Sequence, residues 1–223
     1  MRTLPLLLMI GCASQVPAPV APVEVPEKVD PGASSVESEI GGMNHEDVEE
    51  TFAKLQDPIL GCVRDGAARV REMGGHFAIK LRVARDGTVR SAYLSESTLG
   101  DRETELCVLS LARETHWPRP KGGEGLAERS FDVDASVEPI TLKAERAKSA
   151  KKNLGDKLKR CALSSQAPFV ATAYIDSRGR VMSAGVAPPD AESEDKADCV
   201  VEAVRAMKFR SPGGKAAKIT FEI

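Results

Sequence analysis

The stretch Gly75-His76-Phe77-Ala78-Ile79-Lys80-Leu81-Arg82-Val83, followed by Asp86-Gly87-Thr88-Val89, decides the fold. Phe77, Ile79, Leu81 and Val83 alternate with His76, Ala78, Lys80 and Arg82, the period of two that marks a strand with one buried face. Asp86-Gly87 is a hairpin signal, because a tight primed turn needs positive φ and this dipeptide reaches it at low cost. Beyond the turn, Val89, Ala92 and Leu94 sit three and then two apart, which predicts a β-bulge in the second strand. Gly87 is read as a turn residue that binds nothing.

The same pattern recurs downstream. Gly87 stands twenty residues before Cys107, Trp117 ten after it and Pro120 three further on; Gly179, Cys199, Phe209 and Pro212 repeat these intervals. Phe169, Ala171, Ala173 and Ile175 take the offsets of the first strand, Val181, Ala184 and Val186 those of the second, and Arg178-Gly179 the place of the turn. A duplication accounts for the shared order. Helices are predicted over 101–115 and 194–208, where Cys199, Val200, Ala203, Val204 and Met207 form one apolar stripe. Pro120 and Pro212 forbid their continuation, and alternating strands at 129–134 and 218–223 close the two halves. Ahead of each hairpin lies a helix carrying the first cysteine, about 46–70 with a break at Pro58, and about 147–163. The expected fold class is α+β, with two tandem αββαβ modules, each a three-stranded antiparallel sheet with two helices on one face.

The N-terminus carries a different signal. Arg2 precedes an apolar run from Leu4 to Ile10, then Gly11 and Cys12, the order of a secretory signal. Met9-Ile10-Gly11-Cys12 resembles a bacterial lipobox, which implies lipidation at Cys12. The run is too short to span a bilayer, which needs about 20 apolar residues. Pro17, Pro19, Pro22, Pro26 and Pro31 then predict an extended, solvated tether. The expected organisation is a signal peptide at 1–11, a disordered tether at 12–44, a first module at 45–135, a linker at 136–146 and a second module at 147–223.

Composition limits the function. The chain has 223 residues, 42% hydrophobic but only 4% aromatic, so modules of this size call for a covalent staple. A net charge of −2 supplies no basic field for nucleic acid. His45, His76 and His116 are scattered and no Cys or His pair has zinc-ligand spacing, so neither a metal nor another cofactor is expected. No nucleophile motif such as Gly-x-Ser-x-Gly occurs, and no catalytic residue is assigned. Glu46, Asp47, Glu49 and Glu50 are read as a first helical turn favoured by the dipole. The basic run from Lys143 to Arg160 is read as a wet helix face, with anionic head groups or cell-wall polymer as the partners it would otherwise touch. Trp117 and Phe209, repeated at each helix end, are assigned to the core.

The first-half strand and turn, with His116-Trp117-Pro118-Arg119-Pro120 and Phe131-Asp132-Val133, resemble the TonB C-terminal domain family. Cys62 and Cys107 bring the resemblance closest to the AgmX/PglI C-terminal variety found in envelope proteins linked to gliding motility. The resemblance covers 47–133 well and 154–223 more weakly. It implies a binding module that accepts a partner strand at a sheet edge, and lacks the long Pro-Lys arm of energy transduction.

With Cys12 reserved for lipid, four cysteines allow three connectivities. The repeat selects Cys62 with Cys107 and Cys161 with Cys199; four buried free thiols are the alternative. The candidate edge strands for a partner hold Arg129, Phe131 and Val133 in the first half and Ile219, Phe221 and Ile223 in the second. The function expected is a non-catalytic, lipid-anchored adaptor or scaffold that binds other envelope proteins, in motility or envelope transport, facing the periplasm or cell surface. Ala13 and Ser14 favour the outer membrane over the inner. The alternatives are a secreted enzyme or enzyme inhibitor with a site between the modules, and a purely structural lipoprotein.

Overall fold

A computed structural model describes residues 42–163, 165 and 167–223, with the side chain of residue 153 left aside. The signal segment, Cys12 and the tether up to residue 41 lie outside the described residues. Helix α1 (His45–Arg69) opens on Asn44, whose side chain accepts from the Glu46 and Asp47 amides, so the acidic cluster forms its first turn. Pro58 lies inside α1 without ending it, contrary to the expected break. Phe52, Leu55, Ile59 and Cys62 are buried on both sides of the proline, and that shared packing holds the helix together.

Strands β1 (Gly75–Val83) and β2 (Val89–Ser97), helix α2 (Arg102–Glu114) and strand β3 (Gly125–Val133) follow, in an antiparallel sheet ordered β2-β1-β3. Phe77, Ile79, Leu81 and Val83 share one core with Phe52 and Ile59 of α1 and Val108 and Leu109 of α2. Trp117 closes that core, its ring 4.7 Å from Phe52 and its indole N–H donating to the Ala112 carbonyl. Within the second strand the register steps from Arg82↔Ser91 to Val83↔Val89, leaving Arg90 as the extra residue of a bulge. The same step occurs between Tyr174↔Ser183 and Ile175↔Val181.

The turn differs in type from the one expected. Gly87 has φ 91° and no neighbouring non-glycine residue is positive, so the two positive φ values of a primed turn are absent. The Gly87 amide donates to the Ala84 carbonyl and the Ala84 amide to Thr88, a three-residue loop with glycine in the left-handed position. Asp176, Gly179 and Arg180 make the same bonds. Each glycine also docks: its carbonyl accepts the amide of Trp117 or Phe209, and an added Cβ would meet that residue's carbonyl at 2.4 or 2.1 Å. That contact explains the repeated thirty-residue spacing from glycine to aromatic.

The second half departs further. Strand β4 (Ile140–Leu142) and a 3-10 turn (Ala144–Arg146) occupy the expected linker. In place of one helix over 147–163 stand α3 (Ala147–Ala150), a 3-10 turn (Lys151–Asn153) and α4 (Leu154–Lys159). Asn153 and Gly155, poor helix formers, sit at the break. Strands β5 (Val170–Ile175) and β6 (Val181–Ala187) precede a 3-10 turn (Ala191–Lys196), helix α5 (Ala197–Arg205) and strand β7 (Ala217–Glu222). The sheet is four-stranded and mixed, ordered β4-β7-β5-β6, with β4 parallel to β7, a correction to the three-stranded antiparallel expectation. Phe169, Ile175, Val186, Val200 and Val204 lie in its core. Disulfides join Cys62 to Cys107 and Cys161 to Cys199, with Cα separations of 5.8 and 5.7 Å. Among the described residues no helix is long and apolar enough to cross a membrane.

Candidate functional site

Helix α2 starts at the junction of the two halves, and its first turn carries the buried charged side chains found among the described residues, with Asp101 as its cap. Asp101 is the N-cap, Oδ2 accepting from the Thr104 amide at 3.2 Å and the Thr104 hydroxyl at 2.7 Å. The Arg69 guanidinium donates to the same oxygen at 2.6 Å, and Ser183 of β6 donates to Oδ1 at 2.8 Å. Burial works to raise the Asp101 carboxyl, but the donors Thr104, Arg69 and Ser183 outweigh it and hold it below the usual carboxylate range.

One turn on, Glu105 is fully buried. It accepts the Ser97 hydroxyl at 2.7 Å and, across the junction, the Val186 amide at 3.1 Å. Gly185 permits that approach, since a Cβ there would lie 2.2 Å from Glu105 Oε1. Burial pushes the Glu105 carboxyl up to about 7, against the opposing pull of Ser97 and Arg102. Arg102 spans the junction: Nε donates to Asp198 at 2.7 Å, NH2 to Glu194 at 2.9 Å, and NH1 lies 3.9 Å from Glu105. Glu194 is also raised by burial and sits 3.6 Å from Arg113.

A second tie lies at the end of β1. The Tyr174 hydroxyl accepts from the Gly74 amide at 3.2 Å and donates to its carbonyl at 3.3 Å, with Lys218 Nζ donating to that carbonyl at 2.5 Å. Val63, Val70 and Met73 pack around the phenol. The two halves thus form one unit, joined by a polar network in which one Arg102 guanidinium nitrogen and one Glu194 carboxylate oxygen are buried without a hydrogen-bond partner.

The junction titration has a measurable consequence. In the unfolded chain a glutamate loses its proton near about pH 4.3, whereas folded Glu105 keeps it to about 7. Its contribution is therefore full below about pH 4.3 and is lost as pH rises to about 7, roughly 4 kcal/mol across the window. Urea midpoints of the unsubstituted chain should fall between pH 5 and 7.5 relative to Glu105→Gln, which cannot ionise; parallel profiles would reject the assignment.

Beside the junction a cleft of about 480 Å³ opens between β2, β3 and the 3-10 turn before α5. Lys80, Arg82 and Arg90 face Glu124, Asp190 and Glu192 across it. Arg82 and Arg90 lie 3.7 and 3.9 Å from Glu124, so the formal charges of the cleft balance.

The sheet edges differ in how they are finished. On β6 the outward Val186 amide is taken by Glu105. On β7, β4 pairs along Ala217–Ile219 and Lys151 donates to the Glu222 carbonyl while its ammonium stands 5.1 Å from the Phe221 ring. The expectation that Ile219, Phe221 and Ile223 line a bare edge is corrected: the chain covers most of that side itself. β3 ends its sheet. The His76 carbonyl accepts the Thr98 amide and the His76 amide donates to the Thr98 hydroxyl, both towards β2. An antiparallel ladder alternates, so Phe77 and Ile79 turn to β3, where Phe131 and Arg129 are their partners. The outward groups of β3 therefore belong to Leu126, Glu128, Ser130 and Asp132, rather than to Arg129, Phe131 and Val133 named from the sequence.

Asp86, Gly87 and Gly179 sit in the two turns. Sequence reasoning missed Asp101, Arg102, Glu105, Ser183, Gly185 and Tyr174. One signal was available: Val170-Ala171-Thr172-Ala173-Tyr174-Ile175 holds no charge on either face, unlike β1 with Lys80 and Arg82, as a strand covered on both faces requires. The class these features define is an α+β protein of two sheets fused at a buried polar junction. No protein-family model, curated protein or solved structure matches the chain.

Proposed function

We propose that this chain is a non-catalytic, lipid-anchored envelope adaptor, built on two TonB C-terminal-like αββαβ modules, that binds another envelope protein by strand addition along β3. The observation that carries the reading is the contrast between edges. β3 runs nine residues with alternate backbone groups directed away from β1, while Glu105 takes the Val186 amide of β6 and β4 and Lys151 cover β7. Unpaired strand backbone is the element that accepts an extended partner segment. Arg129 points to the core side, 5.8 Å from the Phe52 ring and 3.5 Å from Glu49. An inward charge of that kind discourages indiscriminate edge pairing, which suits an edge kept for a chosen partner. Lipidation at Cys12 and an outer-membrane position complete the proposal.

The alternation makes the test sharp. Ser130→Pro removes an outward amide and leaves the β1 ladder whole, whereas Phe131→Pro removes a ladder bond. A photo-crosslinking residue at Glu128 in the native envelope should yield a covalent adduct that Ser130→Pro abolishes with little change in thermal midpoint. An adduct indifferent to that proline, or none from β3, would reject strand addition.

A further inference from the structure

The helical layer of the second half leaves an opening where α3 gives way to α4. Beneath it lies a cavity of about 400 Å³ floored by Ala150, Leu154, Ala203 and Met207, a volume within the range of small-ligand sites. Its rim carries Lys152, Lys157 and Lys208. None of the three makes an ion pair or side-chain hydrogen bond with any described residue, while Lys159, Arg180 and Lys196 nearby in the sequence are each paired to an aspartate. Three ammonium groups around one apolar floor repel one another unless an anion joins them.

The wider charge distribution points the same way. Residues 143–163 hold eight Lys and Arg against two Asp and Glu, whereas 45–69 hold three against six, so a chain of net charge −2 is segregated along its sequence into a basic segment and an acidic one. A free phosphate would satisfy the lysines and leave the floor bare. A nucleic acid would want an aromatic platform for its bases, and none lines this cavity. Anion and alkyl chain together match both parts. We propose that this cavity is a binding site for the head group and first methylenes of an anionic phospholipid, presenting the helical face of the second half to a membrane surface.

The proposal is independent of strand addition at β3. It is tested with the full chain carrying Cys12→Ala, so that no attached lipid contributes, by co-sedimentation with phosphatidylglycerol–phosphatidylcholine vesicles and with phosphatidylcholine alone. Binding is expected to the anionic vesicles only. Replacing Lys152, Lys157 and Lys208 with Gln should weaken it on the order of a hundredfold, since each lysine near an anionic surface contributes roughly fivefold. Replacing Arg71, Arg85 and Arg119, exposed on the first half, with Gln removes equal charge and should change binding less than severalfold. Ala206→Leu fills the cavity at constant charge and should weaken binding severalfold. Equal losses in both triple variants would reduce the effect to diffuse charge and overturn the site. So would an Ala206→Leu variant that binds normally, or competition by inorganic phosphate as effective as by short-chain phosphatidylglycerol. Thermal midpoints of all variants check that each is folded.

Discussion

Arg102→Ala is expected to lower stability by about 3 to 5 kcal/mol at pH 8 and by far less at pH 5. The guanidinium is buried and faces three carboxylates, Glu105, Glu194 and Asp198. Asp198 is largely exposed, and losing that contact costs little. The penalty comes from Glu105 and Glu194, which burial already raises. Without the arginine their charged forms are left uncompensated, and both carboxyls climb further. At low pH the fold answers by keeping them protonated, so the cost is present above their folded pKa values and fades as pH falls beneath them. Urea titrations of the variant and the unsubstituted chain at the two pH values measure this. An equal loss at both would mean that Arg102 acts through packing alone.

The contrast between what was legible and what was not follows from range. Helix α2 was expected over 101–115 and runs Arg102–Glu114 with Asp101 and Thr115 as caps, because its signals are local: an aspartate cap, an apolar stripe and a proline beyond. The bulges at Arg90 and Met182 were legible for the same reason, since the spacing of apolar residues records which face each occupies. The disulfide partners came from comparing the halves.

The junction was not legible because Asp101, Arg102 and Glu105 look like the ordinary charged first turn of a solvated helix. Only the packing of β6 against that turn makes them buried, and Gly185, which permits it, has no distinguishing neighbours in the sequence. The edge at β7 was misread because β4 has only three residues and pairs across seventy-seven positions of chain, from Ile140 to Ala217 and onward. Arg129, Phe131 and Val133 were named for the edge at β3, whereas its outward backbone groups fall on the alternate residues, since the direction of a backbone bond depends on where the β1–β2 ladder begins.

The two disulfides should fail differently. They close 45- and 38-residue separations, for which the chain-entropy account gives nearly equal stabilisation of about 4 kcal/mol each. What they hold is unequal. Cys62–Cys107 joins α1 to α2, helices of 25 and 13 residues that both bury broad apolar faces. Replacing Cys62 and Cys107 with Ala should therefore lower the midpoint of one cooperative transition and leave native amide exchange in α1 slow. Cys161–Cys199 instead joins α5 to a layer of short turns, in which α3 and α4 have four and six residues and each buries one side chain, Ala147 or Leu154. Helices of that length do not persist without tertiary support. Replacing Cys161 and Cys199 with Ala should let 147–163 open below the global transition, seen as fast exchange and proteolytic cleavage there under native conditions while β5 and β7 stay protected. Opening of α1 rather than this layer, or one uniform loss in both variants, would contradict the account. The same opening would dismantle the lysine-rimmed cavity, so this variant should also lose anionic vesicles while keeping any adduct formed through β3.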